Sequence, residues 1–126
     1  MGITFSVNHA DRFVSTKAAG LIFLFDISDH IESERLAGGL AYPEWIDGRG
    51  ATPAVSSQDV RSVVAILRRL RSDSPLGPTA VLVDSQLNFG LLRMCESLLD
   101  DVCAVRPFYE QEEAKQWLAE CGERTA

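Results

Sequence analysis

The segment Thr79-Ala-Val-Leu-Val83 is a nearly continuous apolar run that follows a Ser74-Pro-Leu-Gly-Pro78 linker. Runs of this kind are strands buried on both faces, the signature of a parallel sheet covered by helices. The flanking sequence supplies the covers. Ser56-Ser-Gln-Asp59 opens a helix whose Val60, Val63, Val64, Leu67 and Leu70 share one face, and it runs to about Ser72. Gln86 to Leu99 places Leu87, Leu91, Met94 and Leu98 on one face. Glu110 to Glu120 turns Ala114, Trp117, Leu118 and Cys121 inward. Glu44 to Asp47, entered through Pro43, and Val102 to Phe108 read as further strands.

The first third of the chain opens differently. Ile3 to Val7 alternates apolar and polar residues, Asn8-His-Ala-Asp11 is a turn signal, and Arg12 to Ala18 reads as a second strand. Together they predict an antiparallel hairpin ended by Gly20. Leu21 to Arg35 is ambiguous. Leu21-Ile-Phe-Leu-Phe25 looks like a buried strand, yet Leu24, Ile27 and Ile31 fall on one helical face, and the length favours a helix ending at Gly38-Gly39. Gly48 to Val55 reads as a loop. The resulting order, β-β-α-β-α-β-α-β-α, predicts a single α/β domain. Its sheet is mixed and mostly parallel, of about five strands, packed with about four helices through right-handed crossovers.

Composition narrows the function classes. A chain of 126 residues builds one domain, and 46% hydrophobic residues supply a core. The formal net charge of −6 argues against nucleic-acid binding, which needs a basic surface. Ala18 to Phe25 is far short of the roughly 20 apolar residues that cross a bilayer, so no membrane insertion is expected. Met1 to His9 lacks the pattern of a signal peptide. Three cysteines without a CxxC pair do not form a disulfide framework, and the expectation is a reduced, cytoplasmic protein. Cys95 and Cys103 read as small core residues and Cys121 as closer to the surface. His9 and His30, the two histidines, are remote from every cysteine in sequence. No nucleophile, base and orienter trio is visible, and the roughly four ligands with recognisable spacing of a zinc site are absent from the sequence. No catalytic residue, metal or cofactor is therefore expected.

Candidate sites remain. Leu21, Ile22, Phe23 and Phe25 leave the expected first helix apolar all round at its start, which marks a candidate interface and predicts a homodimer. Asp47 and Arg49 end a strand where open α/β sheets place ligands, and with Arg93 they form a candidate polar site. Bracing of the loop and a structural salt bridge are the competing accounts. Arg61, Arg68, Arg69 and Arg71 give one helix a basic side that reads as a solvated face. Ser56 is placed to cap the helix it opens, aided by Asp59.

Three groups of motifs together resemble bacterial proteins of the SpoIIAA-like group in the STAS-like superfamily, whose architecture is akin to CRAL-TRIO lipid-binding domains. They are Trp45-Ile-Asp-Gly-Arg-Gly50; Ser56-Ser-Gln-Asp-Val60; and Ala80-Val-Leu-Val83 with Phe89-Gly-Leu-Leu-Arg-Met-Cys-Glu96, Val105-Arg-Pro-Phe-Tyr109 and Glu113-Ala-Lys-Gln-Trp-Leu118. The resemblance spans roughly Val14 to Leu118. It implies a non-catalytic regulatory or protein-interaction module with a protein partner of unknown identity. The alternative it implies is a small carrier that holds an apolar or lipid-like ligand between the first helix and the sheet. STAS-type antagonists of anti-sigma factors carry a phosphorylated serine in an Asp-Ser-Ser/Thr-Gly setting. Here Asp47 is followed by Gly48-Arg49-Gly50, so Ser56 and Ser57 are expected to serve the helix start and not a phospho-switch.

Overall fold

Gly2–Asn8 (β1) and Phe13–Ile22 (β2) pair antiparallel, from Gly2 opposite Ala19 to Asn8 opposite Phe13. This is the expected hairpin, seen in a computed structural model that describes residues 2–125. Strand β2, however, runs four residues past its expected end at Ala18. Gly20 adopts a positive φ of 73° and redirects the strand instead of ending it. Beyond it, Gly20–Ile22 pair in parallel with Ala51–Pro53, and the Ala54 N–H donates to the Ile22 carbonyl at 2.7 Å. The first helix (α1) is Leu24–Leu36, with Phe23 as its N-terminal boundary. Leu21 and Ile22 are thus strand residues, and the reading of Leu21 to Arg35 as one helix is corrected.

The next elements are Glu44–Asp47 (β3) and Ala51–Pro53 (β4), the latter within the segment expected to be a loop. Ser57–Asp73 (α2), Thr79–Leu82 (β5), Gln86–Leu98 (α3), Val105–Phe108 (β6) and Gln111–Thr125 (α4) complete the chain. Val102 and Cys103 are not part of β6. Their N–H groups both donate to the Leu99 carbonyl, at 2.8 and 2.9 Å, closing the end of α3 and leaving neither available to the sheet.

Among the described residues the sheet has six strands in the order β1-β2-β3-β5-β6, with β4 beside the far end of β2. Every pairing except β1 with β2 is parallel. Side chains alternate across the sheet. On one face Ala80 packs with Ala114 and Leu118 of α4, flanked by Phe13, Trp45, Phe108 and Trp117. The opposite face, carrying Ala18, Ile22, Ile46, Val81 and Val105, looks toward α1, α2 and α3. Ser56 caps α2 as expected: its Oγ accepts from the Asp59 N–H and the Asp59 carboxylate accepts from the Ser56 N–H, both at 3.0 Å.

Candidate functional site

Helix α2 lies on the second face and approaches α1 and α3 more closely than the strands beneath it. Of its apolar stripe only Val60 is fully buried, while Val63, Val64 and Leu67 are half-buried. The reason is a cavity of about 280 Å³ between this stripe and the sheet. Ala18, Ile22, Ile46 and Val81 form its floor, and Leu91, Leu92 and Cys95 of α3 close one side. For scale, an apolar void of about 150 Å³ stays dry and admits benzene. This cavity is large enough for a small organic molecule and offers it almost only hydrocarbon surface.

Its wall carries one strongly polar feature. His30 of α1 reaches Glu34, one helical turn on, at 3.1 Å and Glu44 at the start of β3 at 2.8 Å, both through Nε2. Thr16 of β2 donates from Oγ1 to the same Glu44 oxygen at 2.6 Å. The pairing of β2 with β3 sets Val14 opposite Glu44 and thereby brings Thr16 within reach. Thr16, Glu34 and Glu44 are all buried. The Phe5 ring stands edge-on to the imidazole, with centroids 5.1 Å apart. Burial by itself lowers the His30 pKa, but hydrogen bonds and charge from Glu34 and Glu44 outweigh it, and the pKa is raised. Glu34 is also raised, first because burial disfavours its charge and further by the Glu44 carboxylate, against the pull of His30. His30 Nδ1 is buried without a hydrogen-bond partner.

Local spacing had pointed elsewhere. Asp47 and Arg49 are brought together: the Arg49 backbone N–H and Nε donate to Asp47 Oδ1 at 3.2 and 3.0 Å, and Nη2 donates to Oδ2 at 3.0 Å. The guanidinium holds the Asp47 carboxyl below its usual range. Arg93 pairs instead with Glu96 at 3.4 Å. Among the described residues no contact joins Arg93 to the Asp47–Arg49 pair, so the three do not form one polar site. On the basic side of α2, Arg68 pairs with Asp101 at 2.6 Å, across to the end of α3.

The apolar group also divides. Leu21, Phe23 and Phe25 are 57%, 40% and 62% exposed, and the two phenyl rings stack at 5.7 Å. Ile22 is 5% exposed and lines the cavity, which removes it from the candidate interface. The strand alternation that turns Leu21 outward turns Ile22 inward. Cys95 and Cys103 are half-buried and line the cavity, and Cys121 is half-buried as well. Sequence reasoning missed the His30 cluster because His30 and Glu44 stand 14 residues apart on different elements. The spacing of His30 and Glu34 was the one local signal.

No protein-family model matches the sequence, and no curated protein matches it significantly. Among solved structures, the chain is similar to an uncharacterized protein of the DUF3478 family from Shewanella loihica PV-4, which has a SpoIIAA-like fold. The TM-score is 0.60 at 16% identity, and the match covers 93% of each chain. The fold is SpoIIAA-like. The four helices and mostly parallel sheet among the described residues agree with that architecture. No helix of this SpoIIAA-like fold, among the described residues, is long and apolar enough to cross a membrane.

Proposed function

We propose that this SpoIIAA-like domain is a non-catalytic, cytoplasmic module that binds a small apolar ligand between α2 and the sheet. The observation that carries the reading is the cavity of about 280 Å³ beneath an amphipathic helix that stands off the strands. An apolar helical face left over empty space forgoes the dispersion contacts that a packed core supplies, and a ligand restores them. The covering element is α2, with α1 and α3 as side walls, in place of α1 alone. The test is fluorescence titration of the purified chain with N-phenyl-1-naphthylamine, followed by displacement with straight-chain alcohols of increasing length. Saturable binding of one probe per chain is expected. Absence of saturation up to the probe's solubility limit refutes the reading.

Association with a protein partner or a second copy is the other role we propose for the chain. The exposed Leu21 and the exposed, mutually stacked Phe23 and Phe25 support that role, because exposed apolar surface of this kind marks interaction sites. Sedimentation at micromolar concentration is expected to give a mass near twice 13.8 kDa. A monomer whose Phe23→Ser variant sediments identically removes the homodimer.

A further inference from the structure

We propose that His30, Glu34 and Glu44 form a binding site for one divalent first-row transition ion of the zinc class, set into the wall of the cavity. Three ligand atoms, the imidazole Nε2 and one carboxylate oxygen from each glutamate, lie within 4.8 Å of one another. The nitrogen stands 2.8 and 3.1 Å from the two oxygens. Ligands held at about 2.0–2.1 Å around a tetrahedral ion sit roughly 3.3 Å from one another, so the two nitrogen–oxygen separations need widen by no more than about half an ångström.

Charge supports the same assignment. Two buried carboxylates converge on one imidazole beside a cavity that is almost wholly hydrocarbon. A dication with a neutral histidine and two carboxylates sums to zero, which suits such surroundings. His30 Nε2 donates to the two carboxylates, and an ion takes the place of that proton, so binding releases it. Thr16 supplies the outer support. Its hydroxyl donates to Glu44 at 2.6 Å and orients the carboxylate from a neighbouring strand.

The donor set selects the class of ion. Ca²⁺ requires six to eight oxygens and Mg²⁺ a near-ideal octahedron, whereas one imidazole with two carboxylates suits Zn²⁺, Mn²⁺ or Fe²⁺. Three protein ligands leave at least one coordination position for water or for an oxygen of a cavity occupant. This assignment is independent of the apolar-ligand reading, because the ion itself is the probe.

The experiment uses the full chain, stripped with a chelator and titrated with Zn²⁺ by calorimetry. In parallel, ¹⁵N NMR follows the two histidines, and the Co²⁺ form is examined by absorption. One equivalent should bind, shift His30 Nε2 and leave His9 unchanged. The cobalt spectrum should show ligand-field bands without a thiolate charge-transfer band. Ca²⁺ should leave His30 unmoved. Glu44→Gln should weaken zinc binding at least about 10-fold, and Thr16→Val about 10-fold through the outer shell. Overturning results are a shift confined to His9, a thiolate band that places the ion on a cysteine, or equal affinity in the folded variants. Should either variant fail to fold, the NMR response of the wild-type chain decides alone.

Discussion

Filling the cavity from its roof separates a real void from a merely loose helix. Val64 is one turn beyond Val60 and just before Leu67, at the centre of the α2 stripe that faces the cavity. Val64→Phe adds four carbons there. At about 0.8 kcal/mol per buried carbon group, their transfer sets a ceiling of about 3 kcal/mol. Ordering the longer side chain and imperfect fit take back about 1–2 kcal/mol. A net gain of about 1–2 kcal/mol is therefore expected, since the volume added is well below the 280 Å³ available. In a chain of this size that is roughly a 3–10 °C rise in Tm, read by calorimetry or urea denaturation. The same variant should bind N-phenyl-1-naphthylamine at least about tenfold more weakly, because the ring occupies the probe's space. A loss of about 1–3 kcal/mol, the usual penalty of overpacking, would show that the space is not there. Unchanged probe affinity in a stabilised variant would place the probe elsewhere.

Other perturbations act at separate points. Gly77→Ala would put a methyl group 2.1 Å from the Tyr42 carbonyl oxygen and 2.8 Å from that of Ala41, so two backbone segments must part; a loss of about 2–4 kcal/mol is expected in urea denaturation. Ser56→Ala removes the reciprocal cap of α2 and should cost about 1 kcal/mol, whereas Ser56→Asp should cost almost nothing, and equal effects of the two would refute the capping role. Burial raises the thiol pKa of Cys95 and pushes that of Cys103 up to about 11, so in a Cys121→Ser background alkylation at pH 8 should be far slower than for a cysteine peptide. Bound N-phenyl-1-naphthylamine should slow it further, and labelling indifferent to the probe would contradict binding in the cavity.

Legibility in the sequence followed the range of the forces involved. The Ser56–Asp59 cap joins neighbours three residues apart, and the β3 segment Glu44–Asp47 lies between Pro43 and Gly48; local pattern sufficed for both. The boundary at Leu21 did not yield to local pattern, because the pairing of Gly20–Ile22 with the three residues of β4 decides it. Helical spacing within Leu24 to Ile31 was correctly read, but it was extended back over residues held by the sheet. The His30 cluster needs the β2–β3 register as well as one turn of α1. The cavity was least visible. The apolar face of α2 was readable, but that of α3 is corrected: Leu87, Met94 and Leu98 are exposed, and Asn88, Leu91, Leu92 and Cys95 turn to the cavity. The distance of the helices from the sheet depends on how the elements stack, which periodicity does not encode.

The two ends of α2 are tethered unequally. At the front, the Ala54 N–H bonds to Ile22, the Asn88 side chain donates to the Ala51 carbonyl at 3.1 Å, and Ser56 and Asp59 lock the first turn. At the rear, the Gly77 N–H donates to the Leu40 carbonyl at 2.8 Å, and the ionic tie is Arg68 with Asp101, both exposed to solvent, where such pairs hold weakly. The C-terminal half of α2 therefore has the fewer side-chain ties, and amide exchange should be faster in its last two turns than near Val60.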